Sequence, residues 1–179
     1  MKNIFLIRHC KAEGQDPSAK LTLEGEGQAQ ELASFLKNEG IELIITSPFR
    51  RAIETIMPLC KILSLSYTIE ERLKERVLST VDLVDWMDKL KLTYDNVDLK
   101  YKGGESSREA MNRGIEVINE IISGSNKNIA VVTHGALMSL ILKHFDNNIG
   151  FEEWRKLSNP DVYKIRMEDK EKTIKRIWK

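Results

Sequence analysis

The chain has 179 residues, of which 41% are hydrophobic and 31% charged, and its formal net charge is +1. This length is expected to give one domain over residues 1–179 with a sizeable core. The balanced charge, without a basic block, argues against nucleic acid and membrane surfaces as partners, and no apolar run approaches the roughly 20 residues of a membrane span.

The first predicted element is a strand that ends in two cationic side chains. Residues 4–7 are all apolar and are followed directly by Arg8 and His9. An unbroken apolar run is typical of a buried strand in a parallel sheet, and open α/β sheets bind ligands beyond the carboxyl ends of their strands. Arg8 and His9 are therefore predicted to lie where a ligand binds.

The next segment predicts a helix followed by a strand. Residues 23–37 show helical spacing of apolar side chains, with Thr22 as a candidate N-cap and Gly40 as a stop. Residues 41–45 are apolar enough to form a second buried strand.

A second helix is predicted over residues 48–63. Pro48 is well placed to open it, whereas Pro58 should kink it or shift its start. Arg50 and Arg51 fall in the first turn after the preceding strand, so an arginine is delivered to the same edge of the sheet as Arg8.

The middle of the chain is less regular. Residues 66–69 predict a short strand, and residues 79–92 predict an amphipathic helix or a pair of helices whose apolar face forms core or pocket wall. Residues 94–107 predict a surface loop, and Ser106 or Ser107 is expected to cap a helix that runs to Gly124.

The last third repeats the pattern of the first strand. An apolar strand over residues 128–133 runs straight into His134 and Gly135, and a helix over residues 136–145 is expected to aim its N-terminus at an anion. Two final strands are predicted over residues 161–167 and 173–178, joined by a hairpin turn at residues 168–171.

If the strands share one sheet, two histidines and two or three arginines converge at its edge. Such a cluster of cations repels itself unless an anion is present, and phosphate is the natural occupant. Metal binding by His9 and His134 is not expected, because no acidic or cysteine partner stands at ligand spacing and Arg8 would oppose a cation.

A set of motifs in this order resembles the histidine phosphatase superfamily, also called phosphoglycerate mutase-like. The resemblance runs from residue 4 to about residue 143. Each motif alone is weak evidence for the family, but the motifs in this order are specific to it. They are Arg8-His9, the segment from Leu21 to Ala29, Ser47-Pro48-Phe49-Arg50-Arg51-Ala52, Leu73-Lys74-Glu75, Gly103-Gly104-Glu105-Ser106 and Val132-Thr133-His134-Gly135.

The resemblance implies a role for each matching residue. His9 falls on the nucleophile, which forms a phosphohistidine intermediate. Arg8 and Arg51 fall on the arginines that hold the phosphoryl oxygens. Arg51 is preferred to Arg50 because the family arginine directly precedes the alanine of the motif. His134 falls on a second histidine that donates to the transferring group.

The resemblance also places a general acid and a further phosphate contact. Glu75 matches the carboxyl that protonates the leaving oxygen and later activates water, although it stands in a charged run that a solvated surface would also explain. Gln15 stands where an asparagine often contacts phosphate. Cys10 replaces the usual glycine after the nucleophile. A cysteine-nucleophile signature starting at Cys10 requires an arginine at position 16, which holds Asp16.

Together these features predict a three-layer α/β/α domain with a doubly wound, mainly parallel sheet. The predicted activity is hydrolysis of a phosphate monoester through His9, without metal or organic cofactor, on a small phosphorylated substrate or a phosphoprotein. Alternatives are phosphoglycerate mutase-type transfer, for which the chain is short, and a noncatalytic phospholigand-binding domain. Residues that could shape the pocket or serve only packing are Trp86, Tyr94, Tyr101 and Lys102.

Two cysteines and the N-terminal strand bear on location. Cys10 is expected in the pocket and Cys60 on an apolar helix face, so both are expected to be free thiols, as in a reducing compartment. The first residues enter a strand at once, leaving no room for a signal peptide. A cytoplasmic location is therefore expected.

Overall fold

One mixed sheet runs through the part of the chain that the structure, a computed structural model, describes: residues 1–168 and 171–179. Within these residues its six strands are β1 (Lys2–Arg8), β2 (Leu43–Thr46), β3 (Tyr67–Ile69), β4 (Asn128–Thr133), β5 (Asp161–Glu168) and β6 (Glu171–Arg176). They lie in the order β3-β2-β4-β1-β5-β6. The first four are mutually parallel, β5 is antiparallel to β1, and β6 is antiparallel to β5.

Helices cover both faces of this sheet. They are α1 (Leu23–Leu36), α2 (Arg50–Leu63), α3 (Trp86–Asp95), α4 (Ser107–Ser123), α5 (Gly135–Phe145) and α6 (Phe151–Arg155), and a 3₁₀ helix spans Glu71–Leu73. Side chains alternate along β1, so Phe5 and Ile7 join the core under α1 and α2, whereas Ile4 and Leu6 join the core under α3 to α6. The three-layer, mainly parallel fold predicted from the sequence is confirmed.

The register of the parallel strands brings their carboxyl ends to one edge. Arg8 of β1 pairs with Thr133 of β4, and Thr46 of β2 pairs with Val132 of the same strand. The residues that follow these strands, among them His9, Ser47 and His134, are therefore neighbours in space although they are far apart in sequence.

The predicted helix over residues 79–92 is wrong for its first half. Helix α3 begins at Trp86, and the preceding residues pair with another loop instead. Thr80 donates its backbone N–H to the Lys102 carbonyl, and Glu105 donates its N–H to the Val77 carbonyl. These bonds hold the start of the segment against the other loop, and a turn at residues 84 and 85 then leads into α3. Tyr94, predicted to open a loop, lies in α3 and is buried.

The start of α2 and the effect of Pro58 on it differ from the prediction. The helix begins at Arg50 rather than at Pro48, and Pro58 lies inside it without shifting its start. A proline in a helix interior costs about 3 kcal/mol. Ile56 and Leu59, on either side of Pro58, are fully buried and hold the helix on the sheet.

The predicted N-caps of α1 and α4 are confirmed. Thr22 accepts from the Gly25 N–H at 3.0 Å, and Ser106 forms a reciprocal capping box with Glu109. The predicted final strands are present and pair antiparallel, although β6 begins two residues earlier than predicted. Residues 169 and 170 of the predicted turn lie outside the described residues.

Among residues 1–168 and 171–179, no helix is both long and apolar enough to cross a membrane.

Candidate active site

His9 follows β1 and is held in one tautomer by the backbone. Its Nδ1 lies 2.7 Å from the carbonyl oxygen of Cys10. A carbonyl can only accept, so Nδ1 carries the proton and Nε2 keeps a free lone pair. Burial, supported by the nearby charges of Arg51 and Arg8, lowers the pKa of His9 to about 3. The imidazole is therefore neutral at physiological pH and presents Nε2 as a nucleophile.

His134 lies beside His9, at the equivalent position after β4. The two ring centroids are 5.1 Å apart, and the His134 Nε2 lies 2.7 Å from the Ser47 hydroxyl. Its Nδ1 is buried and has no hydrogen-bond partner among the described residues. Burial, with added repulsion from the charges around it, holds the pKa of His134 well below its usual value.

Arg51, rather than Arg50, reaches the histidines. Its Nε donates to the His9 Nε2 at 3.2 Å, and its guanidinium lies 4.9 Å from the centre of the Phe49 ring. It is 1% exposed, whereas Arg50 points to solvent and pairs with Glu54. Arg51 therefore contacts the unprotonated Nε2 of His9, the atom that can act as a nucleophile.

Arg8 reaches the same site from the other side. Its Nη1 donates to the Leu157 carbonyl at 2.9 Å, while its Nε is buried without a partner among the described residues. Gly135 makes room for it, since a Cβ there would lie 3.0 Å from the Arg8 Nε. Two buried nitrogens at the site, the Arg8 Nε, which carries a proton, and the His134 Nδ1, thus have no hydrogen-bond partner among the described residues.

Glu75 occupies the N-terminus of α5. Its Oε2 accepts from the Ala136 N–H at 3.1 Å and its Oε1 from the Leu137 N–H at 3.0 Å. The sequence led us to expect a bound anion at this helix end. The structure corrects that expectation, because the protein's own carboxylate takes the free N–H groups and complements the helix dipole there. A fixed carboxyl therefore faces the arginines across the site.

Arg113 of α4, which the sequence reasoning missed, holds the backbone that carries Glu75. It donates to the carbonyl oxygens of Arg72, Lys74 and Glu75, the last two at 2.9 and 3.4 Å. It also forms a bidentate ion pair with Glu105, at 2.7 and 2.9 Å. The one feature of the sequence that could have indicated Arg113 was its partner Glu105, which belongs to the Gly-Gly-Glu-Ser motif but had no assigned role.

Gln15 lies at the edge of the cavity beside Arg51, whereas Cys10 lies outside the pocket in which it was expected. Gln15 is exposed at the rim, and its backbone carbonyl, rather than its carboxamide, accepts from the Arg51 Nη1 at 3.2 Å. Cys10 is not in the pocket; it is fully buried in the core under α1 and α2. Burial raises the pKa of its thiol to about 12. Both cysteines are free thiols, as expected.

A cavity of about 790 Å³ opens outward from Arg51 and Glu75. Trp86, one of the candidate pocket residues, lines it, whereas Tyr94 is buried with its hydroxyl against Ser139. No group of three or more His, Cys, Asp or Glu side chains among residues 1–168 and 171–179 is arranged to hold a metal ion.

The buried histidines predict a pH-dependent stability. In the unfolded chain His9 titrates near 6.5, and in the fold near 3. Its contribution is therefore complete above pH 6.5 and is lost as the pH falls toward 3. Between pH 7 and pH 5, we expect His9 alone to remove about 2 kcal/mol from the free energy of unfolding.

Urea denaturation at both pH values, with His9→Gln as the comparison, measures this contribution. The variant should lose about 2 kcal/mol less than the wild-type protein over this range. An equal loss in both proteins would contradict the buried neutral state of His9.

Comparison with protein families matches residues 4–179 to the model of the histidine phosphatase superfamily (branch 1). The chain belongs to this superfamily. A curated relative from Hydrogenobacter thermophilus, named putative phosphoserine phosphatase 2, is 24% identical over 97% of this chain and 94% of its own length. An uncharacterized phosphatase from Bacillus subtilis is 25% identical over 79% of this chain and 76% of its own length.

Solved structures of superfamily members share the fold. A mutant phosphoserine phosphatase from Entamoeba histolytica, in complex with phosphoserine, matches with a TM-score of 0.80 and 20% identity, covering 97% of this chain and 95% of that one. A mycobacterial glucosyl-3-phosphoglycerate phosphatase in complex with inorganic phosphate matches with a TM-score of 0.78 and 19% identity, covering 99% and 96%.

Proposed function

We propose that the protein hydrolyses phosphate monoesters through a phosphohistidine on His9. The observation that carries this proposal is the bond from the His9 Nδ1 to the Cys10 carbonyl, which leaves Nε2 unprotonated. Nε2 attacks phosphorus, an N–P bond forms, and the bond from phosphorus to the ester oxygen breaks. Splitting one displacement into two steps in this way is the usual benefit of a covalent nucleophile.

The charges around His9 support the transfer of a phosphoryl group. Arg51 lies on Nε2, and the unpartnered Nε of Arg8 and Nδ1 of His134 are buried close by. A phosphoryl group would supply an oxygen acceptor to the Arg8 Nε, and to the His134 Nδ1 in the tautomer in which Ser47 donates to the His134 Nε2. Guanidinium forks match phosphate geometry and stay charged at any relevant pH, so they stabilise charge on the equatorial oxygens.

Glu75 is proposed to handle the proton in both half-reactions. It lines the cavity together with Arg51, on the side where the leaving group would lie. In its protonated form Glu75 gives a proton to the departing ester oxygen, and as the resulting carboxylate it takes one back from the water that attacks the phosphohistidine. That second attack breaks the N–P bond, releases inorganic phosphate and restores neutral His9.

Access of water favours hydrolysis over a mutase reaction. A mutase must keep water from its phosphohistidine while the substrate reorients. Here the cavity that meets Glu75 is lined by residues that face solvent, including Gln15, Val81 and Trp86. Water can therefore reach the intermediate. The names of the relatives further support a small phosphorylated substrate.

A panel of phosphorylated metabolites and synthetic esters, assayed for released phosphate, tests the proposed activity. We expect steady release with water as the acceptor. Tight binding without turnover would favour a noncatalytic phospholigand-binding domain, and transfer to a second alcohol in place of water would favour a mutase.

Turnover is expected to be independent of metal ions. Arginine and histidine donors supply the positive charge that metals supply in other phosphatases. Dialysis against a chelator should leave kcat unchanged, and vanadate should inhibit by imitating the transferring phosphoryl group. Restoration of activity only when a divalent ion is added to stripped protein would overturn this expectation.

Arg113 is expected to act as a positioning residue for Glu75. Arg113→Gln removes the ion pair with Glu105 and the clamp on the Glu75 backbone, and we expect kcat for alkyl phosphates to fall about 10- to 100-fold. Aryl phosphates should lose less, because their leaving oxygen needs less help from Glu75.

Arg108→Gln is the matched control, since Arg108 lies on the same helix and pairs with exposed Asp98. Equal losses for both substrate types in folded Arg113→Gln would assign Arg113 a general structural role instead.

A further inference from the structure

Ser47 follows β2 at the same edge of the sheet as the two histidines. It is fully buried, and its Oγ lies 2.7 Å from the His134 Nε2. Its backbone N–H donates to the Val132 carbonyl of β4 at 3.0 Å, which holds Ser47 against the strand that leads into His134. The contact therefore joins two buried side chains that neighbouring strands keep in place.

The hydrogen bonds of Ser47 indicate which of the two side chains donates. The Phe49 N–H donates to the Ser47 Oγ at 3.3 Å, so this oxygen already accepts one hydrogen bond. A serine hydroxyl has one hydrogen to donate, and the His134 Nε2 is the one acceptor that the described part of the chain offers to it. Donation from Ser47 to Nε2 satisfies the hydroxyl, whereas the reverse direction leaves a buried O–H without an acceptor.

The other ring nitrogen of His134 supports the same direction. Burial, with repulsion from the neighbouring cations, holds the pKa of His134 well below its usual value, so the ring is neutral and carries one proton. If Nε2 accepts from Ser47, that proton lies on Nδ1, the buried nitrogen without a partner in the described residues. A protonated Nδ1 can donate to a phosphoryl oxygen, whereas a bare Nδ1 would turn its lone pair toward an anion.

Two aromatic rings fix the orientation of the His134 ring. Its centroid lies 5.1 Å from that of His9, at an interplanar angle of 61°, and 4.9 Å from that of Phe49, at 66°. Both are edge-to-face contacts, and His134 is fully buried. A rotation that exchanged its two nitrogens would have to displace these rings and break the bond to Ser47. Packing thus sets the direction of the ring, and Ser47 sets the position of its proton.

We propose that Ser47 is a positioning residue that holds the proton of His134 on Nδ1 and so makes this histidine a fixed hydrogen-bond donor to the phosphoryl group. The inference rests on the proposed function, which places that group on His9. Because Nε2 is occupied by the Ser47 hydroxyl, His134 has no free basic nitrogen, and proton transfer to the leaving group is left to Glu75. Ser47 belongs to the Ser-Pro-Phe-Arg-Arg-Ala motif, in which the sequence assigned it no role.

Nitrogen NMR of the resting protein measures the position of the proton directly. The chain has 3 histidines, so spectra of His9→Gln and His144→Gln are enough to assign the imidazole signals of ¹⁵N-labelled protein. At neutral pH we expect a protonated Nδ1 and an unprotonated Nε2 for His134. A proton on the Nε2 of His134 in the wild-type protein would overturn the proposal.

Substitutions at the end of β2 connect the tautomer to activity. Ser47→Ala removes the donor, so Nε2 should become partly protonated, and kcat/KM and the affinity for vanadate should fall together by about 10- to 100-fold. Ser47→Thr keeps a hydroxyl and should keep the Nδ1 tautomer and most of the activity. Thr46→Val is the matched control, because the buried Thr46 hydroxyl donates to the Ser47 carbonyl and not to a histidine. It should change neither the tautomer nor kcat/KM.

The possible failures are distinguishable, because the tautomer is measured without a substrate. If no phosphate ester is hydrolysed, the proposed function itself is wrong. If esters are hydrolysed but folded Ser47→Ala loses activity with its tautomer unchanged, Ser47 has a structural role only. If Ser47→Ala changes the tautomer and keeps full activity, the proton on Nδ1 is not used. In both of these cases the proposed function stands and the role of Ser47 is overturned.

Discussion

Replacement of His9 by alanine is expected to reduce kcat by at least about a thousandfold, since it removes the atom proposed to attack phosphorus. His9 is a small part of the buried core, so the variant should remain folded. Steady-state phosphate release on the best substrate, with circular dichroism and urea denaturation as checks of the fold, measures the effect. Substantial activity in the folded variant would contradict the phosphohistidine mechanism.

Cys10→Ser is the matched control for the neighbouring residue. The Cys10 thiol is buried under α1 and α2, and its pKa is raised to about 12, so it is neither accessible nor ionised. We expect the variant to keep activity within about tenfold of the wild-type protein, with any loss caused by a hydroxyl in an apolar core. Complete loss in a folded Cys10→Ser protein would favour a cysteine nucleophile.

Replacement of Glu75 by glutamine is expected to show a strong dependence on the leaving group. Alkyl phosphates need a proton on the departing oxygen and should slow by about 10²- to 10⁴-fold. Aryl phosphates, with better leaving groups, should be affected much less in the first step. Comparing kcat/KM, which reports on the first step, for both substrate types in the variant and in the wild-type protein measures the difference.

Glu71→Gln is the suitable control for Glu75. Glu71 is exposed and pairs with Lys74 in the same charged run. Glu105 is unsuitable, because its ion pair with Arg113 and its bond to the Val77 N–H support the Glu75 segment. Equal losses for alkyl and aryl esters in Glu75→Gln, with no phosphoryl group trapped on His9, would reduce Glu75 to a binding or surface role.

The residues that follow strands were predictable from the sequence. His9 and His134 each come directly after a buried apolar run, and parallel strands must bring such positions to one edge. The choice of Arg51 over Arg50 depended on the family motif, since both lie in the same helical turn. Only the structure shows Arg51 against His9 and Arg50 in solvent.

The support around Glu75 could not be predicted in the same way. Arg113 binds backbone carbonyls, and no side-chain pattern encodes a carbonyl partner about 40 residues away. The nonhelical path of residues 79–85 likewise begins with bonds from Ser79 and Thr80 to the Lys102 carbonyl, which override an apolar spacing that resembles a helix. The occupant of the α5 N-terminus was missed because a distant carboxylate satisfies it.

Direct detection of phosphohistidine tests the central claim. The wild-type protein and Glu75→Gln are mixed with an aryl phosphate, denatured within milliseconds at alkaline pH, and digested for mass spectrometry. The mechanism predicts one phosphoryl group on His9, more of it in Glu75→Gln because activation of water is impaired, and none in His9→Ala. Turnover without a phosphoryl group on His9 at any time before the steady state, or with the label on another residue, would contradict it.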